Sequence, residues 1–195
     1  IKIYGLYKQL VSVGNYYFMT SAKNKNNLRI EIKNLFKTYT KKELVAKSNL
    51  VLHSLELESS FINANTVLLY WSLPDEVHTH VFIQKWSKQK NILLPTIVGN
   101  KIETRTYTNT HALREGKYSI QEPTGLHYEG IIDLVIVPGR AFDPEGHRLG
   151  RGKGFYDVFL ENYTGIKIGL CFDFQLKETI PFEPFDCVMH KVICD

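Results

Sequence analysis

The chain has 195 residues, 44% of them hydrophobic and 23% charged, enough for one ordinary globular core and short for two. A formal net charge of +4 favours an anionic ligand in a general way but is too small to require nucleic acid, and no apolar run approaches the roughly 20 residues that span a bilayer. The cysteines, Cys171, Cys187 and Cys194, form neither a CxxC pair nor a metal-spaced cluster, which speaks against a secreted disulfide scaffold and for a reducing compartment.

The first 18 residues, "IKIYGLYKQLVSVGNYYF", lack the compact apolar stretch and small-residue cleavage site of a signal peptide. They read as an upstream extension, disordered or non-native, with the protein proper starting at Met19. From Lys25 to Lys37, Leu28, Ile32, Leu35 and Phe36 recur at helical spacing and predict a first helix. Thr40 followed by Glu43 forms a capping box, and Leu44, Ser48, Val51, Leu52 and Leu55 continue along one face of a second helix.

"TVLLYW", Thr66 to Trp71, has the composition of a buried strand and ends in the turn-forming "SLPDE". Thr79 then caps a helix carrying Phe82, Ile83 and Trp86. "NILLPTIV" reads as a second strand and "IETRTYT", with period-two alternation, as a third. "IIDLVIVPG" is almost wholly apolar and stops at Pro138-Gly139, the pattern of a central parallel strand ending at a loop. A helix from about Phe155 to Asn162 and a strand from Ile166 to Phe172 complete the alternation. The expected fold is therefore α/β: a single-domain, three-layer open sheet, mostly parallel and Rossmann-like, with helices on both faces. Ligands on such sheets bind beyond the carboxyl ends of strands, which singles out the loops after Trp71 and after Val137.

The second of these loops contains "RLGRGKGFYD". Gly150, Gly152 and Gly154 alternate with Arg151 and Lys153, and Arg148 stands just before them. Glycine lets the backbone approach a ligand and present successive N–H groups as an anion nest, and the interleaved cations neutralise the oxygens so held. Asp157 falls on the first turn of the next helix, where a carboxylate can hold Mg²⁺ against a nucleotide phosphate. Neither the Walker A spacing nor the dinucleotide fingerprint fits. Composition alone leaves two readings, a flexible basic loop around a turn at Asp143 to Gly146 and a phosphate grip; the position after an apolar strand favours the second.

Read in full, "LVIVPGRAFDPEGHRLGRGKGFYDVFL" resembles the signature of the 5-formyltetrahydrofolate cyclo-ligase family, also called 5,10-methenyltetrahydrofolate synthetase. The resemblance extends to "KNNLR", "SLPDEVHT", "GKYSIQEP" and the segment Gln175 to Asp186, and so covers a domain of residues 19–195. It implies an enzyme that uses ATP and Mg²⁺ to close 5-formyltetrahydrofolate to 5,10-methenyltetrahydrofolate, releasing ADP and phosphate. It implies ATP contacts at Lys25, Arg29 and Arg148, Leu149, Gly150, Arg151, Gly152, Lys153, Gly154, Phe155 and Tyr156. Folate contacts are implied at Trp71 and Glu76 and again at Arg151, Gly152, Lys153, Gly154 and Phe155, with metal ligands at Asp157 and Asp186. Lys153, Arg151 and Arg148 are the expected catalytic cations. Arg140 departs from the family pattern, which usually carries an apolar residue there, and Phe155 replaces the commoner tyrosine. The expected protein is cytoplasmic and monomeric, with no nucleic-acid or membrane partner.

Glu76, His78 and His80 alternate as metal ligands would on a strand, but Thr79 as a helix cap splays the histidines and argues against zinc. Asp143, Glu145 and Gly146 resemble the start of a calcium loop without its last ligand. The rival to the enzyme is a non-enzymatic module that binds RNA or a nucleotide through "RLGRGKGFY", and an inactive family member is a third reading.

Overall fold

The structure, a computed structural model, describes residues 24–116, 120–183 and 186–195; the leader at residues 1–18 and the start at Met19 lie outside the described residues. Helix α1 spans residues 24–36 and buries Ile32 and Phe36, with Leu28 and Leu35 partly buried beside them. Helix α2, Lys41–Glu56, begins with the capping box read from the sequence: Glu43 N donates to Thr40 Oγ1 at 3.3 Å and Thr40 N donates to Glu43 Oε2 at 2.7 Å. Its buried face is Leu44, Ser48, Val51, Leu52 and Leu55, the stripe that the spacing predicts. Removing the cap hydroxyl with Thr40→Ala should cost about 1 kcal/mol of stability, seen as a lower urea midpoint; an unchanged midpoint would show that the cap contributes nothing. Helix α3, Ser59–Asn63, buries Phe61 and is too short to show a period in the sequence.

Strand β1 runs from Thr66 to Leu68, shorter than predicted. Leu69 N still donates to Leu93 O at 3.0 Å, and beyond it the chain leaves the sheet, so Tyr70 and Trp71 stand at the carboxyl edge. Helix α4 is His80–Trp86, and Thr79 occupies its N-cap position without making a capping bond. The threonine hydroxyl instead donates to Tyr70 O at 2.5 Å and accepts from Ser72 N at 3.2 Å, tying both ends of the loop after β1 together.

Strand β2, Asn91–Val98, turns at Gly99 (φ 61°) into the antiparallel β3, Lys101–Thr106. β4, Leu113–Glu115, and β5, Gln121–Pro123, form a separate ribbon. After β6, Leu134–Pro138, come the two-residue strands β7, Ala141–Phe142, and β8, Arg148–Leu149, then helix α5, Phe155–Leu160, and strands β9, Ile166–Leu170, and β10, Lys191–Ile193.

The main sheet has the order β10-β9-β6-β1-β2-β3 and is parallel except for the β2–β3 hairpin. Side chains alternate across its faces as strand geometry demands. Val67, Ile92, Leu94, Leu134 and Ile136 pack with the stripes of α1 to α4, while Leu68, Leu93, Val135 and Val137 pack on the other side with Leu160 and Phe159. The result is the three-layer α/β arrangement expected from the alternation of elements. No helix among the described residues is long and apolar enough to cross a membrane.

Candidate active site

The glycine-rich segment hangs from the carboxyl end of β6, and its first half is fixed by Gln175 and by its own Asp143. Gln175, itself buried, donates from Nε2 to Gly139 O at 3.1 Å and to Arg140 O at 2.9 Å, and accepts from Phe172 N at 2.9 Å. Asp143, also buried, accepts from the N–H of His147, the His147 ring and the N–H of Ile180, each at 2.9 Å. Asp143, Glu145 and His147 have ligand atoms within 4.8 Å of one another, but with Asp143 so occupied by N–H donors the group is a structural turn.

Between β8 and α5 the backbone is left-handed at Gly152 (φ 93°) and Gly154 (φ 70°), a conformation that favours glycine. Arg29 packs beside Gly152, its guanidinium carbon 3.5 Å from where a Cβ would stand, and its Nε donates to Gly150 O at 2.9 Å.

This loop is the common wall of two cavities. One, of about 330 Å³, is bordered by Tyr70, Trp71, Glu76, Ile97, Ile102, Arg151, Lys153, Phe155 and Tyr156 among others; the other, of about 50 Å³, is bordered by Lys25, Arg29, Leu149, Gly152 and Asp186. Arg148, Gly150, Gly154 and Asp157 face both. Every site residue named from the sequence thus borders one cavity or the other. The division is sharper than the resemblance implied, because Gly152 borders only the small cavity and Arg151, Lys153, Phe155 and Tyr156 only the large one.

Several charges of the wall are paired. Arg148 is buried, donates from Nη2 to Asp157 Oδ1 at 2.5 Å and from Nη1 to Pro138 O at 3.2 Å, and lies 5.6 Å from the centre of the Tyr156 ring. Burial, and then the charge of Glu76, push the Tyr156 phenol far above its ordinary value, so it stays protonated. Glu76, also buried, accepts at Oε1 from Arg151 and at Oε2 from Leu73 N at 2.9 Å. Burial works against the charge of Arg151, but Glu76 and Asp75 outweigh it and raise the pKa. Lys25 Nζ donates to Asp186 Oδ2 at 2.7 Å and lies 3.5 Å from Glu183.

Trp71 stacks on His80 at 4.0 Å and 13° and on Tyr107 at 6.1 Å. The His80 ring is 3.0 Å from Ser72 O, and burial lowers its pKa, so a neutral imidazole backs the tryptophan. Neither His78 nor His80 belongs to a potential metal group among the described residues. Tyr70, Pro95, Ile97, Ile102 and the buried Glu122, whose Oε1 accepts from Ile97 N at 3.0 Å, border the large cavity without having been singled out in sequence.

Asp157 and Asp186 supply the hard oxygen donors that Mg²⁺ prefers. Each is already neutralised by a cation, Arg148 or Lys25, so a dication alone would meet uncompensated positive charge there. The donor set fits Mg²⁺ delivered together with phosphate oxygens.

The sequence model of the 5-formyltetrahydrofolate cyclo-ligase family matches residues 21–195. Among relatives, the 5-formyltetrahydrofolate cyclo-ligase of Haemophilus influenzae is 27% identical over 186 residues, covering 89% of this chain and 98% of its own length. That of Escherichia coli is 31% identical over 144 residues, 68% of this chain and 79% of its own. The solved structure of Aquifex aeolicus 5,10-methenyltetrahydrofolate synthetase superposes with a TM-score of 0.79 at 30% identity, covering 87% of this chain and 89% of that one. The Mycoplasma pneumoniae synthetase gives 0.70 at 21% identity over 87% and 98%, a likeness of fold.

Proposed function

The chain belongs to the 5-formyltetrahydrofolate cyclo-ligase family, and we propose that it closes 5-formyltetrahydrofolate to 5,10-methenyltetrahydrofolate at the expense of ATP. The observation that carries this reading is the glycine-rich wall shared by a large, mainly apolar cavity and a small cationic one. A cavity of about 330 Å³ is at the lower end of the size that buries a small organic ligand. The small one, at about 50 Å³, suits a phosphate group and leaves the nucleoside outside it. Because Arg148, Gly150, Gly154 and Asp157 border both cavities, a phosphate held in one and a folate held in the other would meet at the same residues, as transfer of a phosphoryl group requires.

In this reading ATP phosphorylates the formyl oxygen, N10 of the folate attacks the activated carbon, and phosphate is expelled, leaving ADP. Positioning and charge neutralisation do most of the work in such a transfer. Lys25 and Arg29 hold the nucleotide phosphates from the small cavity, with the backbone of residues 149–154 beneath them. Arg148, fixed by Asp157 and Pro138 O, supplies a buried positive charge between the two substrates. Lys153 and Arg151 approach from the folate side, where charge gathers on the formyl oxygen and the transferring phosphoryl group. Trp71, Phe155 and Tyr156 exclude water, and Glu76 accepts an N–H donor of the pteridine at Oε2, beside Leu73 N. Asp157 and Asp186 would hold Mg²⁺, which when bound offsets phosphate charge. The same reading places the protein in the cytoplasm, as a monomer that takes folate and ATP and no nucleic acid, with residues 19–195 as the domain.

ADP release tests the coupling. It should depend on 5-formyltetrahydrofolate and match the folate converted mole for mole; ADP formed equally well without folate would contradict the proposal.

A further inference from the structure

The glycine-rich loop and the turn after β1 are joined by a cluster of charges. Arg151 donates to Glu76 Oε1 from Nε at 3.1 Å and from Nη2 at 3.0 Å, which fills that oxygen's two lone pairs. Asp75 bridges two arginines, one oxygen accepting from Arg151 Nη2 and the other from Arg140 Nη1. Glu76 and Arg151 border the large cavity, whereas Asp75 and Arg140 border neither. The Arg140 side chain is only 14% exposed and that of Asp75 30%, so water screens their interaction incompletely.

Arg140 is held in place from behind. Its N–H donates to Leu149 O at 2.7 Å and its carbonyl accepts from Gln175 Nε2 at 2.9 Å. Its charge also reaches the other side of the loop: burial lowers the pKa of Arg29, and Arg140 lowers it further. Arg140 therefore stands between the two cavities' cations without touching either space.

The two arginines and two carboxylates sum to zero. Without Arg140 the sum is −1, and both carboxylates act on Arg151 alone. An Arg151 held that firmly turns less readily to a phosphate, and the surplus negative charge repels one. Resting on the nucleotide reading above, we propose that Arg140 is a positioning residue for nucleotide binding, acting through Asp75 by sharing that carboxylate and so loosening its hold on Arg151.

Titration calorimetry of the full chain with the magnesium complex of a non-hydrolysable ATP analogue reads this without turnover. Arg140→Met should weaken binding about fivefold, the scale of a partly exposed charge interaction, and Arg140→Lys should stay within about twofold. Asp75→Asn, which leaves the cluster at +1, should tighten binding, a change that structural damage does not produce. The double variant Arg140→Met with Asp75→Asn restores neutrality and should return to near the wild-type affinity. Unchanged binding by Arg140→Met overturns the proposal. So does a double variant as weak as the single one, the result expected if Arg140 touches phosphate itself or merely supports the fold. Failure of the wild type to bind the analogue overturns this inference and the nucleotide reading together. Analogue binding without folate turnover overturns only the proposed reaction.

Discussion

Replacing Lys153 with alanine should lower kcat by about a hundredfold to a thousandfold, the scale on which removal of one charge-stabilising group acts in a transition state. Lys153 stands between two left-handed glycines and borders the large cavity. On the same loop Arg148 pairs with Asp157, and Arg151 with Glu76 and Asp75. Lys153 is exposed and lies outside the core, and the backbone that carries it is set by the glycines. The substitution should therefore shift unfolding stability by less than about 0.5 kcal/mol. Steady-state kinetics beside a denaturation curve measure both quantities. A normal kcat in a folded variant would remove Lys153 from the chemistry.

Glu76→Ala should act mainly on folate, raising its KM by about tenfold to a hundredfold, as loss of a buried hydrogen-bonding partner does. Glu76 also holds Leu73 N and Arg151, so the alanine variant leaves those donors unsatisfied and should be less stable by about 1–3 kcal/mol. Glu76→Gln restores part of the structural role without the charge. The amide oxygen can keep the bond to Leu73 N, but its NH₂ group cannot accept from Arg151, so stability should recover only in part, while the lost carboxylate charge keeps KM high. A glutamine variant with wild-type KM would show that Glu76 serves the turn and not the substrate.

Much of the site was legible because it is carried by contiguous residues with distinctive chemistry. "RLGRGKGFYD" places cavity-lining residues on a single loop, and the glycines required at residues 152 and 154 announce its backbone. Helix α2 was equally open to reading, since its cap and stripe are local features. The unread part is long-range. Ile97 and Ile102 reach the large cavity only because β2 and β3 fold back as a hairpin. Gln175 shows its role only when its amide meets the carbonyls of Gly139 and Arg140. Arg140 departs from the family pattern in sequence, and only the fold brings Asp75 beside it. β10 is a three-residue edge strand, with too little sequence to show a period, and β1 is shorter than its apolar run because composition does not reveal where the last residues leave the sheet for the cavity edge.

In the proposed function the two cavities hold ATP and folate for one reaction. Ultraviolet absorbance of the purified protein with 5-formyltetrahydrofolate tests it most directly, because the methenyl product has a chromophore that the substrate lacks. If the two cavities serve one reaction, this absorbance rises only when ATP and Mg²⁺ are both present. No rise from folded protein, in a buffer where a known cyclo-ligase works, or a rise that is equally fast without ATP, would contradict it.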